Sequence, residues 1–226
     1  MGMIIALAAV VFVGFGPSFY LRGVFANERT LTPLLYVHGI VFSMWIALLA
    51  TQSALIALRR PDVHRKLGLL ALLLASAMIV LGSATALTLA ARLLHSQGAT
   101  AAGRASLALL DLPVFAGLVV AAVLLRRRPQ AHKRLMLLAT VALIGAAINR
   151  LPLPAEFASR YARFLLVDIF CLALAVWDVL STRRIHVATL AGTSAIVLDQ
   201  ILQASLGHSA GWSRGLTRLL DFMTSQ

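Results

Sequence analysis

Seven long apolar stretches limit this chain to a bundle of helices in a membrane. A helix needs about 20 apolar residues to cross the hydrocarbon core of a bilayer, and only short loops separate the stretches. We therefore predict an all-α, polytopic transmembrane bundle of seven antiparallel spans over residues 1–207, followed by a short tail over 208–226. The approximate spans are 3–22, 33–58, 66–94, 106–126, 134–152, 162–182 and 186–206.

The composition agrees with this class of protein. Hydrophobic residues make up 60% of the chain and charged residues 12%, whereas soluble proteins average roughly 45–50% and 25%. The net charge of +12 does not indicate a nucleic-acid partner, because the basic residues cluster in loops between apolar stretches. The single cysteine, Cys171, excludes an intrachain disulfide.

The positions of the basic residues predict how the bundle lies in the membrane. Most lysines and arginines lie near helix ends in the loops after the second, fourth and sixth spans, and such clusters stay in the cytoplasm. We therefore place these loops and the N-terminus inside and the C-terminus outside. The clustered residues are Arg59, Arg60, Arg65, Lys66, Arg126, Arg127, Arg128, Lys133, Arg134, Arg183 and Arg184.

One motif occurs twice, as Arg60-Pro61-x-x-His64 and as Arg128-Pro129-x-x-His132. Each copy ends one apolar stretch and begins the next. The repetition predicts a parallel internal repeat of spans two-three and four-five, related by an axis along the membrane normal.

The tail has the pattern of a short amphipathic helix on the outer membrane interface. Its apolar residues recur at helical spacing and alternate with charged ones. The apolar set is Trp212, Leu216, Leu219, Leu220 and Met223, and the charged set is Arg214, Arg218 and Asp221.

Several segments resemble a widespread family of small bacterial polytopic membrane proteins. They are residues 15–22, Val37-His38-Gly39 with Trp45, the two Arg-Pro-x-x-His motifs, and residues 135–140. The resemblance runs over nearly the whole chain. It implies a bacterial inner membrane and no activity. Together with the orientation predicted from the basic residues, this membrane gives a cytoplasmic N-terminus and a periplasmic C-terminus.

A fainter resemblance concerns haem. His64-Arg65-Lys66-Leu67-Gly68 resembles the start of a haem-bearing helix in ferric-reductase-like proteins, where a second histidine follows on the same helix. Here Met78 lies in the corresponding region, and the next histidine is His95 at the far end of the span. This departure argues against a ladder of transmembrane haems.

Polar residues of six spans fall at one depth, in the half of the bundle away from the basic loops. Ionisable groups in hydrocarbon persist mainly where they face a cavity or a partner. We therefore predict a buried ligand site, with interhelical polar packing as the alternative. The candidate residues are Tyr20, His38, Trp45, Asp111, Asn149, Arg150, Asp168 and Asp199, joined by Gln200 and Gln203.

The aspartates at this depth are more numerous than the arginines near them. Arg150, the nearest arginine, can neutralise only one of the three carboxylates well. We predict that at least one aspartate is neutral or binds a cation, and that His38 reaches one of the three directly or through water. His38, Phe42 and Trp45 share one helical face, which would suit haem or a quinone ring. A core stripe of aromatic side chains, or a transition-metal site of His38 with Asp111 and Asp168, stays open.

The two repeated loops form basic collars that we predict to bind anionic lipid headgroups. A paired metal or haem site at the two histidines, or simple packing, is the alternative. The collar residues are Arg60, His64, Arg65, Lys66, Arg128, His132, Lys133 and Arg134. Asp178, near the same end, is expected to pair with Arg183 or with a collar arginine.

These features predict an integral inner-membrane protein that binds a small ligand or a redox cofactor in its polar site. One alternative is a carrier of protons or a small solute that titrates the three aspartates. Another is a non-catalytic assembly partner in a homo- or hetero-oligomeric membrane complex. The sequence holds no Gly-rich phosphate loop, Cys-x-x-Cys motif or nucleophile elbow, so the catalytic motifs of soluble enzymes are absent and the sequence names no reaction.

Overall fold

The computed structural model describes residues 2–25, 30–157, 159–207 and 209–224, without the side chains of Glu156 and Thr224. All regular structure in these ranges is helical, as expected. The α-helices are α1 (Gly2–Phe15), α2 (Pro33–Ala57), α3 (Pro61–Gln97), α4 (Ala99–Ser106), α5 (Ala108–Leu124), α6 (Pro129–Leu143), α7 (Gly145–Ile148), α8 (Arg160–Thr182), α9 (Val187–Leu206) and α10 (Ala210–Thr224). A π-helical turn (Gly16–Tyr20) follows α1, and a 3-10 turn (Ala155–Phe157) precedes α8.

Within the described ranges, seven helical segments are long and apolar enough to cross a membrane, which confirms the predicted span count. Two of them consist of two α-helices each: α4 and α5 form one span with a break at Leu107, and α6 and α7 form another with a break at Ile144. The third and fifth spans begin earlier than predicted, at Pro61 and Pro129. Proline needs no hydrogen-bond partner in the first helical turn, so the charged residues after it are also helical.

The span formed by α6 and α7 is the most buried of the seven. Helix α6 packs against α5, α8 and α9, while α1 packs against α7 and α2. Small residues allow close approach, because a Cβ on Gly14 would collide with the carbonyl of Ala147, and one on Gly192 would meet the Leu138 side chain. The apolar core therefore centres on α6, with Phe115, Leu138 and Val141 fully buried.

The first span is interrupted at Gly16-Pro17. Because the nitrogen of Pro17 carries no hydrogen, the regular helical ladder cannot continue there. The chain forms a π-helical turn instead, in which Leu21 N donates to Gly16 O at 2.8 Å. This turn brings the Phe19 ring directly over Gly39 of α2.

The two Arg-Pro-x-x-His segments begin their helices alike. Arg60 and Arg128 are the N-cap residues, and proline follows each of them. The helices then differ, because α3 runs for 37 residues and α6 for 15. The repeat of whole spans therefore stays a prediction. We call the end of the bundle that carries these motifs the basic end.

Helix α3 is the longest of the described helices, and it ends at the opposite end of the bundle. Its 37 residues correspond to about 55 Å at 1.5 Å per residue, whereas the hydrocarbon core of a bilayer is roughly 30 Å thick. Helix α10 packs against α4 and this part of α3. Leu216 and Leu220 meet Ala90 and Ala102 there.

Residues 210–224 of the tail are thus helical, and this helix packs on α3 and α4 while keeping an exposed apolar side. Trp212 Nε1–H donates to the carbonyl of Gly103 at 2.9 Å and to Ser106 Oγ at 3.0 Å. Leu219, Phe222 and Met223 stay exposed. His208, the first residue after Gly207, lies outside the described residues.

Candidate functional site

Three aspartates and two glutamines meet in the half of the bundle away from the basic end. Helix α9 provides Asp199, Gln200 and Gln203, which its helical spacing brings to one side. Asp111 comes from the first turn of α5, and Asp168 comes from α8. We call these five residues the acidic cluster.

Gln203 links two of the carboxyl groups. Its Nε2 donates to Asp111 Oδ1 at 2.8 Å and to Asp199 Oδ2 at 2.8 Å. One side-chain amide has two N–H groups, so it can serve two acceptors. The aspartates of α5 and α9 are therefore held close to each other by a neutral donor.

The third carboxyl group is bound in a similar way. Gln200 Nε2 donates to Asp168 Oδ1 at 2.9 Å. Asp199 and Gln200 are both buried, while Asp111 and Asp168 are partly buried. Side chains of α9 thus join α5 to α8 through acids and amides.

No ion pair neutralises these aspartates within the described ranges. Ion pairs found there join Arg60 to Asp62 and Arg134 to Asp178, both towards the basic end. Arg150, the expected partner, donates to the Ala146 carbonyl at 2.6 Å and lies over the Phe15 ring at 4.7 Å.

Arg160, which sequence reasoning did not select, is close to the acidic cluster. Its Nη1 donates to the main-chain carbonyl of Gln203 at 2.9 Å. Its position in the first turn of α8 was the available signal, since that turn faces the end of α9. The charge therefore lies near the cluster, but its hydrogen bond goes to the backbone.

His38 lies apart from the acidic cluster. Its Nδ1 is 3.3 Å from Thr85 Oγ1 of α3, and its ring stacks on Phe42 with centroids 4.1 Å apart. Its direct side-chain partner is therefore Thr85 and not an aspartate, while a link to an aspartate through water stays a prediction. A threonine within an apolar span gives no sequence signal that would have identified it.

The other candidate residues are also distributed. Trp45 is buried in the core, where its Nε1–H donates to Thr140 Oγ1 at 3.1 Å. Tyr20 hydrogen-bonds Ser43 at 2.7 Å, which fixes the π-helical turn against α2. Asn149 lines a separate cavity of about 110 Å³ beside Phe157 and Arg163. The residues predicted to share one layer therefore take part in several separate local contacts.

The described part of the chain contains no group of three His, Cys, Asp or Glu residues arranged to hold a metal ion. This geometry does not bring His38, Asp111 and Asp168 together. What the acidic cluster can do chemically is exchange a proton, or bind a cation that two carboxylates suffice to hold.

At the basic end, the two repeated histidines come together. The rings of His64 and His132 are 6.2 Å apart and perpendicular. His132 Nδ1 lies 2.8 Å from the Ala122 carbonyl, and Gln52 Nε2 donates to the His64 carbonyl at 3.2 Å. The exposed collar residues are Arg60, Arg65, Lys66, Arg128 and Lys133.

Arg134 differs from the rest of the collar, because its side chain is only 2% exposed. Its Nε donates to Asp178 Oδ1 at 2.8 Å, and Asp178 Oδ2 accepts from Thr189 Oγ1 and from His186 N. The collar arginine expected to pair with Asp178 is thus Arg134. Because it is enclosed by protein, the expected headgroup contact does not extend to it.

The seven apolar helices define this chain as a multi-pass membrane protein with an acid–amide cluster between three spans. No protein-family model matches the chain, and no curated protein or solved structure shows significant similarity to it.

Proposed function

We propose that the acidic cluster binds protons or a small cation and couples this binding to transport across the membrane. The observation that carries the proposal is the position of the Gln203 amide, which donates to Asp111 and Asp199 at 2.8 Å each. The shared donor is neutral, and neither carboxyl group forms an ion pair within the described ranges, so the pair lacks a countercharge.

The physical reason is the cost of two adjacent negative charges in a low-dielectric region. Taking each ion out of water costs several kcal/mol, and like charges at one site disfavour double ionisation. A shared proton or a bound cation removes both penalties. Asp111 and Asp199 would then titrate as a pair.

Coupling follows from the helices that provide the cluster. A protonated carboxyl group becomes a hydrogen-bond donor, so loading changes which bonds join α5, α8 and α9. A ligand shifts a conformational equilibrium only when it binds the two states differently. Different hydrogen bonds in the loaded and unloaded states would provide that difference.

A haem or quinone at His38 has less support. His38 contacts Thr85, while Trp45 is enclosed in the core and bonded to Thr140. The three side chains of the predicted stripe do not form one open face.

We further propose that the basic end is cytoplasmic in a bacterial inner membrane, with the N-terminus inside and the C-terminus periplasmic. The clustered arginines and lysines support this orientation. The exposed collar residues would then meet the anionic lipid headgroups of the inner leaflet.

Transport by reconstituted protein tests the proposal. Liposomes contain a pH-sensitive dye, and a potassium diffusion potential drives proton entry; a parallel series uses a sodium gradient and a sodium dye. We expect the wild type to move one of these ions faster than empty liposomes. Asp111→Asn and Asp199→Asn should lower the rate to that of empty liposomes.

Asp62→Asn is the matched control, because it makes the same chemical change in an exposed ion pair at the basic end. Infrared spectroscopy of the same samples provides a second readout. A protonated-carboxyl band, or a sodium-sensitive carboxylate band, should disappear in Asp111→Asn and Asp199→Asn only. Wild-type transport and spectra in both variants would mean that the cluster serves packing alone.

A further inference from the structure

A groove of about 610 Å³ lies at the basic end, between the end of α5 and the beginnings of α6 and α9. Its volume is within the range of roughly 300–1,000 Å³ of small-molecule sites. The walls are mostly apolar, with Ala121 and Leu125 on one side and Val187 and Ala191 on the other. The groove is separate from the acidic cluster.

The polar side chains of the groove are Arg128, Gln130 and His186, and the Gln130 side-chain oxygen already accepts from Arg134 Nη1. Arg128, an exposed residue at the start of α6, contributes a guanidinium. His186 is the N-cap of α9, and its Nδ1 accepts from Ala188 N at 3.0 Å. Because Nδ1 is an acceptor, the ring proton of the neutral imidazole is on Nε2, which is therefore a donor.

The electrostatics of the groove favour an anion. The helices α6 and α9 both begin at it, and helix N-termini carry partial positive charge. None of the lining residues is acidic. Asp178, which accepts from the His186 main chain, is already paired with Arg134. No carboxylate in the lining would therefore oppose a negative ligand at Arg128.

We infer that this groove holds one anionic phospholipid from the leaflet at the basic end. Its phosphate lies against Arg128 and the Nε2–H of His186, and an acyl chain follows Ala121, Leu125 and Ala191. Charge complementarity selects the headgroup, and the apolar walls distinguish a lipid from a water-soluble phosphate. The inference does not depend on the function of the acidic cluster.

Native mass spectrometry of the full chain in a mild detergent tests this site. The protein is incubated with phosphatidylglycerol or with phosphatidylcholine, and retained lipids are counted. We expect one retained phosphatidylglycerol and no comparable retention of phosphatidylcholine. Arg128→Gln should weaken the retention about tenfold, because it removes a charge-assisted hydrogen bond.

Matched variants separate this site from general lipid adhesion. Arg127→Gln removes the same charge one residue away, outside the lining, and should retain the lipid. Ala191→Phe fills the groove, whereas Leu190→Phe adds an aromatic ring at an exposed neighbouring position outside it. The first should lose the lipid and the second should keep it.

Several outcomes would overturn the inference. They are equal loss in Arg127→Gln and Arg128→Gln, retention by Ala191→Phe, or equal retention of both lipids by the wild type. Arg128 is exposed, so its variant is expected to fold, and an unchanged gel-filtration profile verifies this. Competition by inorganic phosphate alone would reassign the site to a soluble anion.

Discussion

Arg134 and Asp178 illustrate what a buried charge requires in this bundle. Their side chains are 2% and 0% exposed, and Asp178 also accepts from Thr189 and from the His186 main chain. Such a pair offsets its desolvation only with further hydrogen bonds of this kind. The main consequence of the pair is that it favours one arrangement of the helices, because α6, α8 and α9 must meet in one register to satisfy it.

Removal of one partner should therefore cost much more than removal of both. We expect Asp178→Asn to lower the free energy of unfolding by about 3–5 kcal/mol, because Arg134 is left buried without a countercharge. Arg134→Met combined with Asp178→Leu should recover most of that loss. Denaturation in detergent measures both.

The exposed pair Arg60–Asp62 provides the control, with side chains 60% and 55% exposed. Asp62→Asn should change the free energy of unfolding by less than about 1 kcal/mol. If Asp178→Asn were equally mild, the buried pair would not be a structural determinant.

At the scale of elements, α9 connects the two polar regions of the bundle. Thr189 bonds Asp178 near the basic end, while Gln200 and Gln203 belong to the acidic cluster. Between them, Gly192 and Ile196 are buried against neighbouring helices. The buried side of α9 therefore fixes both polar regions through one close contact in the middle.

Gly192 is the position where this contact can be tested. A Cβ there would lie 3.3 Å from Leu138 Cβ and 3.4 Å from Leu118 Cδ2. We expect Gly192→Val to lower the free energy of unfolding by about 1–3 kcal/mol through overpacking. It should also reduce ion transport, because a displaced α9 separates Gln203 from Asp111.

Gly117→Val is the control, because a Cβ at that position meets nothing within 4 Å. It should change the free energy of unfolding by at most about 0.5 kcal/mol and leave transport intact. Equal effects of the two variants would show that helix propensity, not contact, decides them.

The sequence predicted how deep a side chain lies along its span better than which neighbouring helix that side chain faces. Counting residues from helix ends correctly brought the three aspartates to one level, where α9 joins them. It did not predict that His38 faces Thr85 or that Arg150 lies over Phe15. The rotation of a helix about its axis depends on close packing such as Gly192 against Leu138, which only the assembled bundle defines.

At the scale of the whole molecule, the two ends differ in charge. Exposed arginines and lysines crowd the basic end, and the acidic cluster lies in the other half. The seven spans and their order were predictable, because span length and apolar content follow directly from bilayer thickness. The folding of α10 onto α3 and α4 was not, since its apolar face suits a membrane interface equally well.

The proposed orientation makes a direct prediction. Topology reporters fused after Arg128 and after Gln226 should report opposite sides of the membrane, with Arg128 in the cytoplasm. The reason is that three spans separate Arg128 from Gln226 and that clustered basic residues stay inside. Fusions after Gly98 should agree with those after Gln226, and any same-side result for the first pair would contradict the count or the orientation.

The contact of α10 with α3 and α4 also sets an order for biogenesis. On the proposed orientation, Arg214 and Arg218 must be moved outward across the membrane, where each positive charge meets about 2.3 kcal/mol of opposition per 100 mV. Only after α9 has crossed can Trp212 reach the Gly103 carbonyl. On this orientation, a nascent chain therefore leaves the apolar patch at Ala90 and Ala102 uncovered until translocation of this segment is complete.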